Sequence, residues 1–378
     1  MNLTTARQNF KYLENGKIYF NHASMGPMPV PVAQKVQEYL NERSGDEIDN
    51  FQKTLKTIKE LKSKLGALLK CEPDRIASCE NVSSALNLLA NGLKWEKGDR
   101  IILGDIEFPS NVYPFLNLRK QGVEVDFVKS ANGILSIDDY EKLITEKTKL
   151  ISVSHVQFLT GYKIDLEKLG EICRQKNIIF SVDGIQSAGT AKVDVKKMHI
   201  DFFTGGSHKW LLGLQGLTYF YVNKELQEKI EQKNVGWISV KNSWDLTDYN
   251  LDLRSSADRY QTGTQNTIGL EALNASLDFF NSFGFDEIEK KVIANSKYFL
   301  SRLMDNNFEP VLSDIENNGI AGIVSVKIQN PNEVEEKLKD KNIICTVREG
   351  ILRFSPHFYN TKEEIDVVID KLKTIESK

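Results

Sequence analysis

NIIFSVDGIQSAG, residues 177–189, and DFFTGGSHKWLLGLQGLTYFYV, residues 201–222, each begin as an apolar run and break abruptly into polar residues. Continuous apolar runs of this length suit parallel strands buried on both faces. The breaks put Asp183 at one strand end and Ser207, His208 and Lys209 at the other. Open α/β sheets bind ligands outside the carboxyl ends of their strands, so an acid and an amine at two such ends can face one crevice.

Outward from these segments the same texture continues. Between about residues 70 and 225, the short apolar runs RIILGD, EVDFV, KLISVSHV and LTYFYV alternate with amphipathic stretches, which predicts an α/β fold with a mostly parallel sheet covered by helices. VSSALNLLANGL carries Val82, Ala85, Leu86, Leu89 and Leu93 at helical spacing, with Ser83 or Asn81 available as the cap. After about residue 285 come a long helix, the strand candidates GIVSVKI, NIICTV and ILRFSP, and a last helix opened by Thr361 and Glu364 in capping-box spacing. The expected organisation is an N-terminal arm (1–20), a large domain (21–260), and an interdomain helix with a small C-terminal α+β domain (261–378).

Composition narrows the class. The 378 residues are 40% hydrophobic and 27% charged, as in folded globular chains, and 49 Lys and Arg against 52 Asp and Glu give a net charge of -3. No basic excess favours nucleic acid or an anionic membrane as partner. Cys71, Cys79, Cys173 and Cys345 lack CxxC spacing and read as reduced thiols, and no stretch resembles a signal core or a membrane span, so a cytoplasmic protein is expected. His22, His155, His199, His208 and His357 form no metal-ligand pattern, so no metal is expected.

A strand-end lysine suits Schiff-base chemistry, and an aspartate beside it suits a cationic ring nitrogen, the pairing that pyridoxal phosphate requires. The same two residues also fit a turn-closing aspartate and a solvated lysine. The helix start at Val82 and Ser83 offers free N–H groups to a phosphate, or is an ordinary cap. Phe108 in GDIEFPSNVYPF sits where a ring can stack on a planar cofactor or pack into the core. His155 lies at another strand end. Arg353, between Leu352 and Phe354, is costly to desolvate unless it meets an anion, either a ligand carboxylate or an internal acid.

In order along nearly the whole chain, YFNHASMGPMP (19–29), ENVSSALN (80–87), EFPSNVYP (107–114), SHVQFLTG (154–161), SVDGIQSAG (181–189), SHKWL (207–211), QTGTQN (261–266) and LRFSPHFYNT (352–361) resemble the class V branch of fold-type-I pyridoxal phosphate enzymes, which spans aminotransferases, isopenicillin N epimerase-like proteins and cysteine desulfurases. The resemblance implies a seven-stranded, mostly parallel sheet in the large domain. It implies Lys209 as the Schiff-base lysine, Asp183 on the pyridine nitrogen, Gln186 on the phenolic oxygen and Phe108 on the ring. Val82, Ser83, Ser207 and His208 would bind the phosphate, with Thr264 reaching it from a second subunit of a homodimer. Arg353 would bind the substrate α-carboxylate, and Asn21, His22 and His155 would line the substrate side.

Two departures bear on the reaction. Desulfurases of this branch carry Ser three places before the lysine, where this chain has Gly206, with Ser207 one place later. Their persulfide-forming cysteine has only Cys345 as a counterpart, in an apolar run that reads as core. The expectation is therefore an aminotransferase acting on a small α-amino acid and a 2-oxo acid. The alternatives are a C–S lyase, desulfurase or epimerase, and then a binding protein that kept the fold without turnover.

Overall fold

The computed structural model describes residues 2–45, 48–314 and 319–376. Its centre is a seven-stranded sheet: β1 (Ile76–Cys79), β2 (Arg100–Gly104), β3 (Glu124–Val128), β4 (Thr148–Ser154), β5 (Ile179–Asp183), β6 (Phe202–Gly206) and β7 (Thr218–Val222). The spatial order is β1-β7-β6-β5-β4-β2-β3, and every pairing is parallel except those made by β7. The apolar runs read from sequence are these strands. Because side chains alternate across a strand, Ile102, Ile151, Val153, Phe180 and Val182 enter the core on one face, and Ile101, Leu103, Leu150, Ile179 and Phe202 enter the core on the other. Two-sided burial explains why these strands read as unbroken apolar runs.

Helices close both faces. Among them α1 (Val30–Gly45) and α2 (Phe51–Leu69) lie against α5 (Thr267–Phe283), while α3 (Val82–Gly92) covers the β6–β7 side and α4 (Leu166–Gln175) covers β5. α3 buries Val82, Ala85, Leu86 and Leu89, the stripe predicted by spacing, and its cap is Asn81, whose Oδ1 accepts from Ser84 N at 2.9 Å.

The C-terminal region has its own sheet, β8 (Glu309–Pro310), β9 (Val324–Lys327), β10 (Thr346–Arg348) and β11 (Ile351–Phe354), in the order β10-β11-β9-β8 and antiparallel throughout. NIICTV is split: Ile343–Ile344 pairs in parallel with Ile18–Tyr19 near the N-terminus, and only then does β10 begin. α6 (Phe285–Asp305) and α7 (Lys362–Glu376) cover this sheet. The predicted capping box is formed, with Glu364 N donating to Thr361 Oγ1 at 3.2 Å and Thr361 N donating to Glu364 Oε2 at 3.1 Å.

The chain fills β2 and β3 outward in one direction, then β4, β5 and β6 in the other. The sheet therefore has a switch point between β2 and β4, the place where ligands enter α/β sheets.

Candidate active site

Four strand ends converge beside that switch point. β2 leads to Glu107 and Phe108, β4 to His155, β5 ends on Asp183, and β6 leads to Ser207, His208 and Lys209. Neighbouring strands fix the relative positions: Asp183 is in register with Ser154 of β4 and Thr204 of β6, and its carbonyl accepts from His155 N at 3.0 Å. Lys209 Nζ lies 5.6 Å from the centre of the Phe108 ring. The N-terminal turn closes over the lysine, as Gly26 N donates to His208 O at 2.8 Å. A Cβ on Gly26 would stand 2.1 Å from Lys209 O, so only glycine permits this approach.

The electrostatics are unusual for a protein interior. Asp183 is 1% exposed; Oδ1 accepts from Ile185 N at 2.9 Å, and Oδ2 is buried without a partner. Burial, and then the nearby Glu107 carboxylate, push its pKa up, against the Ile185 N–H and the Lys209 charge. Burial pushes the Lys209 pKa down; Asp183 opposes this, and Arg353 and Arg348 reinforce it. An amine that burial pushes toward its neutral form, beside an orphaned acid oxygen, is a base suited to proton transfer.

Arg353 is 2% exposed, donates from Nη1 to Phe158 O at 2.6 Å and from Nη2 to Ser24 Oγ at 2.8 Å, and keeps a buried, unpartnered Nε. Among the described residues no acid pairs with it, and burial holds its pKa down at about 9. An uncompensated buried guanidinium matches an incoming carboxylate. His155 keeps a buried, unpartnered Nδ1, and burial holds its pKa at about 3, so the ring is neutral. Asn21 Oδ1 is likewise buried and unpartnered.

At the other end of the crevice, the first N–H groups of α3, at Val82 and Ser83, have no carbonyl within the helix to bond. Ser83 Oγ donates to Ser110 Oγ at 3.0 Å, tying the helix start to the loop that carries Phe108. Burial lowers the His208 pKa to about 4. Thr264 is exposed and lines, with Ser83, Ser84, Asn87 and Gly216, a cleft of about 1420 Å³. Gln186 donates from Nε2 to Ala23 O at 3.0 Å and accepts from Trp210 Nε1 at 2.8 Å, which leaves one amide hydrogen free.

Two expected site residues are used otherwise. His22 was expected to line the substrate side, but its ring is fully buried, with Nδ1 on Ser355 O at 2.7 Å and Nε2 on the Tyr359 hydroxyl, so it has no nitrogen left for a ligand. Ser207 was expected on a phosphate, but its hydroxyl donates to Leu217 O at 2.9 Å and to Leu214 O, holding the turn behind Lys209. Two other residues carry no sequence signal of their own: Glu107, which grips Ser154, Gln157 and Asn111, and Ser24, which meets two arginines.

The family model Aminotransferase class-V matches residues 18–368. The chain belongs to the class-V aminotransferase family. A probable cysteine desulfurase of Pyrococcus abyssi (strain GE5 / Orsay) is 30% identical over 385 residues, covering 95% of this chain and 94% of its own. The uncharacterized aminotransferase YcbU of Bacillus subtilis (strain 168) is 29% identical over 354 residues, 93% of each chain. Among solved structures, the apo cysteine desulfurase of Thermococcus onnurineus NA1 superposes with a TM-score of 0.90 at 25% identity, covering 99% of this chain and 98% of that one. Pyridoxal phosphate is the cofactor of this class-V enzyme, and the residues present suit it: an orphaned acid oxygen for a ring N–H, an exposed aromatic face and free helix N–H groups.

Proposed function

We propose that this pyridoxal phosphate enzyme breaks the C–S bond of small β-thio α-amino acids without forming a persulfide on itself. The observation that carries the second half is Cys345: it is 4% exposed in the core between the C-terminal sheet and its helices, and burial pushes its thiol far from the thiolate form. The naming of several relatives as probable cysteine desulfurases supports the first half.

When bound, the cofactor supplies an electron sink for the pair released at Cα. In this reading the residues divide the remaining work. Asp183 Oδ2 accepts a hydrogen bond from the ring nitrogen and keeps it protonated. Phe108 presents its ring face, Val82, Ser83 and His208 hold the phosphate, and Gln186 offers its free amide hydrogen to the phenolic oxygen. Arg353 fixes the α-carboxylate, and Asn21 and His155 line the substrate side. Lys209 anchors the cofactor and, as a free amine, removes the Cα proton. The β-sulfur then leaves with the C–S electron pair, and hydrolysis gives a 2-oxo acid, ammonium and a thiol. Thr264 would complete the phosphate site across a homodimer interface.

Transamination is the second reading, favoured by the name of the Bacillus subtilis relative. Incubation with L-cysteine and S-alkyl cysteines separates the two. C–S cleavage of the proposed kind yields pyruvate and thiol or sulfide in equal amounts without a 2-oxo acceptor, and survives Cys345→Ala. Release of 2-oxo acid only when an acceptor is added would replace this reading with transamination.

A further inference from the structure

We propose that Arg348 reads a second carboxylate, on the substrate's side chain, so that the preferred substrates are small β-thio amino acids ending in an acid. The inference rests on the C–S cleavage reading for the bond that breaks, but not for the ligand that binds.

The strand geometry places the residue. β10 and β11 form a hairpin in which Thr346 is opposite Arg353 and Arg348 is opposite Ile351. Side chains two positions apart share a sheet face, so Arg348, Thr346 and Arg353 lie on the same one. The turn between the strands is Glu349–Gly350, with φ of 46° and 75°, the left-handed pair that two-residue hairpins favour.

The guanidinium of Arg348 is held rather than free in solvent. Nη1 donates to Thr346 Oγ1 at 3.0 Å and to Val347 O at 2.9 Å, and Nη2 donates to Ser24 Oγ at 3.3 Å. That serine oxygen is the one that Arg353 Nη2 meets at 2.8 Å, so two cations converge on one neutral acceptor. Among the described residues neither has an acidic partner, and their repulsion is felt at both Arg353 and Lys209. Like charges this close are unfavourable until anions arrive. One α-carboxylate fills one guanidinium fork. Arg353 is the buried cation and Arg348 the exposed one, so the second fork stands on the outer side, where a side chain would extend from Cα.

Two pairs of probes test this on the cofactor-loaded protein. Adipate and its monoamide cannot react, and their affinities are read by calorimetry. S-carboxymethyl-L-cysteine and its neutral carbamoylmethyl analogue are read by kcat/KM. The wild type is expected to favour the acid of each pair by about tenfold or more, the scale of one charge-assisted hydrogen bond. Arg348→Gln brings both ratios to about one, Arg348→Lys keeps part of them, and Arg353→Gln weakens acid and amide alike. Equal or absent binding of adipate and its monoamide by the wild type overturns the proposal. So does an Arg348→Gln variant that weakens both members equally, since Arg348 would then serve the α-carboxylate. If adipate is preferred through Arg348 but no S-substituted cysteine is cleaved, the reaction assignment fails and the carboxylate site stands.

Discussion

The central sheet holds an acid at each end, fully buried at the carboxyl end and half-buried at the amino end, and the two are finished differently. At the amino end, Asp201 accepts from Phe180 N at 2.8 Å and from Asn223 Nδ2, so both oxygens are satisfied and the acid joins three chain segments. At the carboxyl end, Asp183 satisfies one oxygen and leaves the other without a partner. Burial pushes both acids up, so burial alone does not separate a structural carboxylate from a working one. The difference lies in unfinished hydrogen bonding. Around Asp183 the same incompleteness recurs at His155 Nδ1, Gln157 Oε1, Asn21 Oδ1 and Arg353 Nε. Buried polar groups normally find partners, and a group of such orphans at one crevice marks where a ligand supplies them.

This contrast breaks first at Asp183. Asp183→Asn keeps the shape and the Ile185 contact but turns an acceptor into a donor. Turnover is expected to fall by ~10²–10³, the scale of one preorganised electrostatic contact, with thermal melting little changed. Melting that drops while turnover persists would make Asp183 a structural acid like Asp201.

Glu107 comes next, as a positioning residue. Its Oε1 accepts from Ser154 N and Gln157 Nε2, both at 2.8 Å, and its Oε2 accepts from Asn111 Nδ2 at 3.0 Å and from Ser154 Oγ. It thus couples the loop bearing Phe108 to the strand end bearing His155. Glu107→Gln sets an amide N–H against two of these donors, and kcat/KM is expected to fall about tenfold. There is also a pH signature. Burial raises the Glu107 pKa in the fold, so the native state keeps its proton above the pH where the unfolded chain loses it. Stability therefore declines as pH rises from the ordinary carboxylate range through the raised value, and Glu107→Gln should make that decline shallower. An unchanged slope in urea melts across that interval would refute the assignment.

Asp201→Ala is the opposite case. It strands the Phe180 N–H and the Asn223 amide, so a loss of about 1–3 kcal/mol is expected in denaturant melts, with kcat/KM within twofold of wild type. Smallest is Thr361→Ala, which removes one arm of the α7 capping box, costs about 1 kcal/mol and leaves turnover unaffected.

The strands were legible because two-sided burial writes continuous apolar runs, and the chemistry because it stands where those runs stop: Asp183 and Lys209 both follow such breaks. The α7 cap was legible because its two partners lie three residues apart. What stayed hidden depends on contacts distant in sequence. Nothing near His22 announces that its nitrogens meet Ser355 and Tyr359, more than 300 residues away. Likewise SPHFYNT reads as a site motif, yet His357 and Asn360 hold the interior around Trp210 and Asn295. Ser207 misled because a hydroxyl beside a lysine suits a phosphate as well as the carbonyls of its own turn. Ser24 is unremarkable until the C-terminal hairpin brings Arg348 and Arg353 to it.

The most direct test is chemical. Purified protein loaded with pyridoxal phosphate is reduced with borohydride, digested and mapped by mass spectrometry. The account predicts the cofactor attached to the peptide containing Lys209 and to no other, with the label absent from Lys209→Ala. A label on a different lysine, or no label despite bound cofactor, would contradict it.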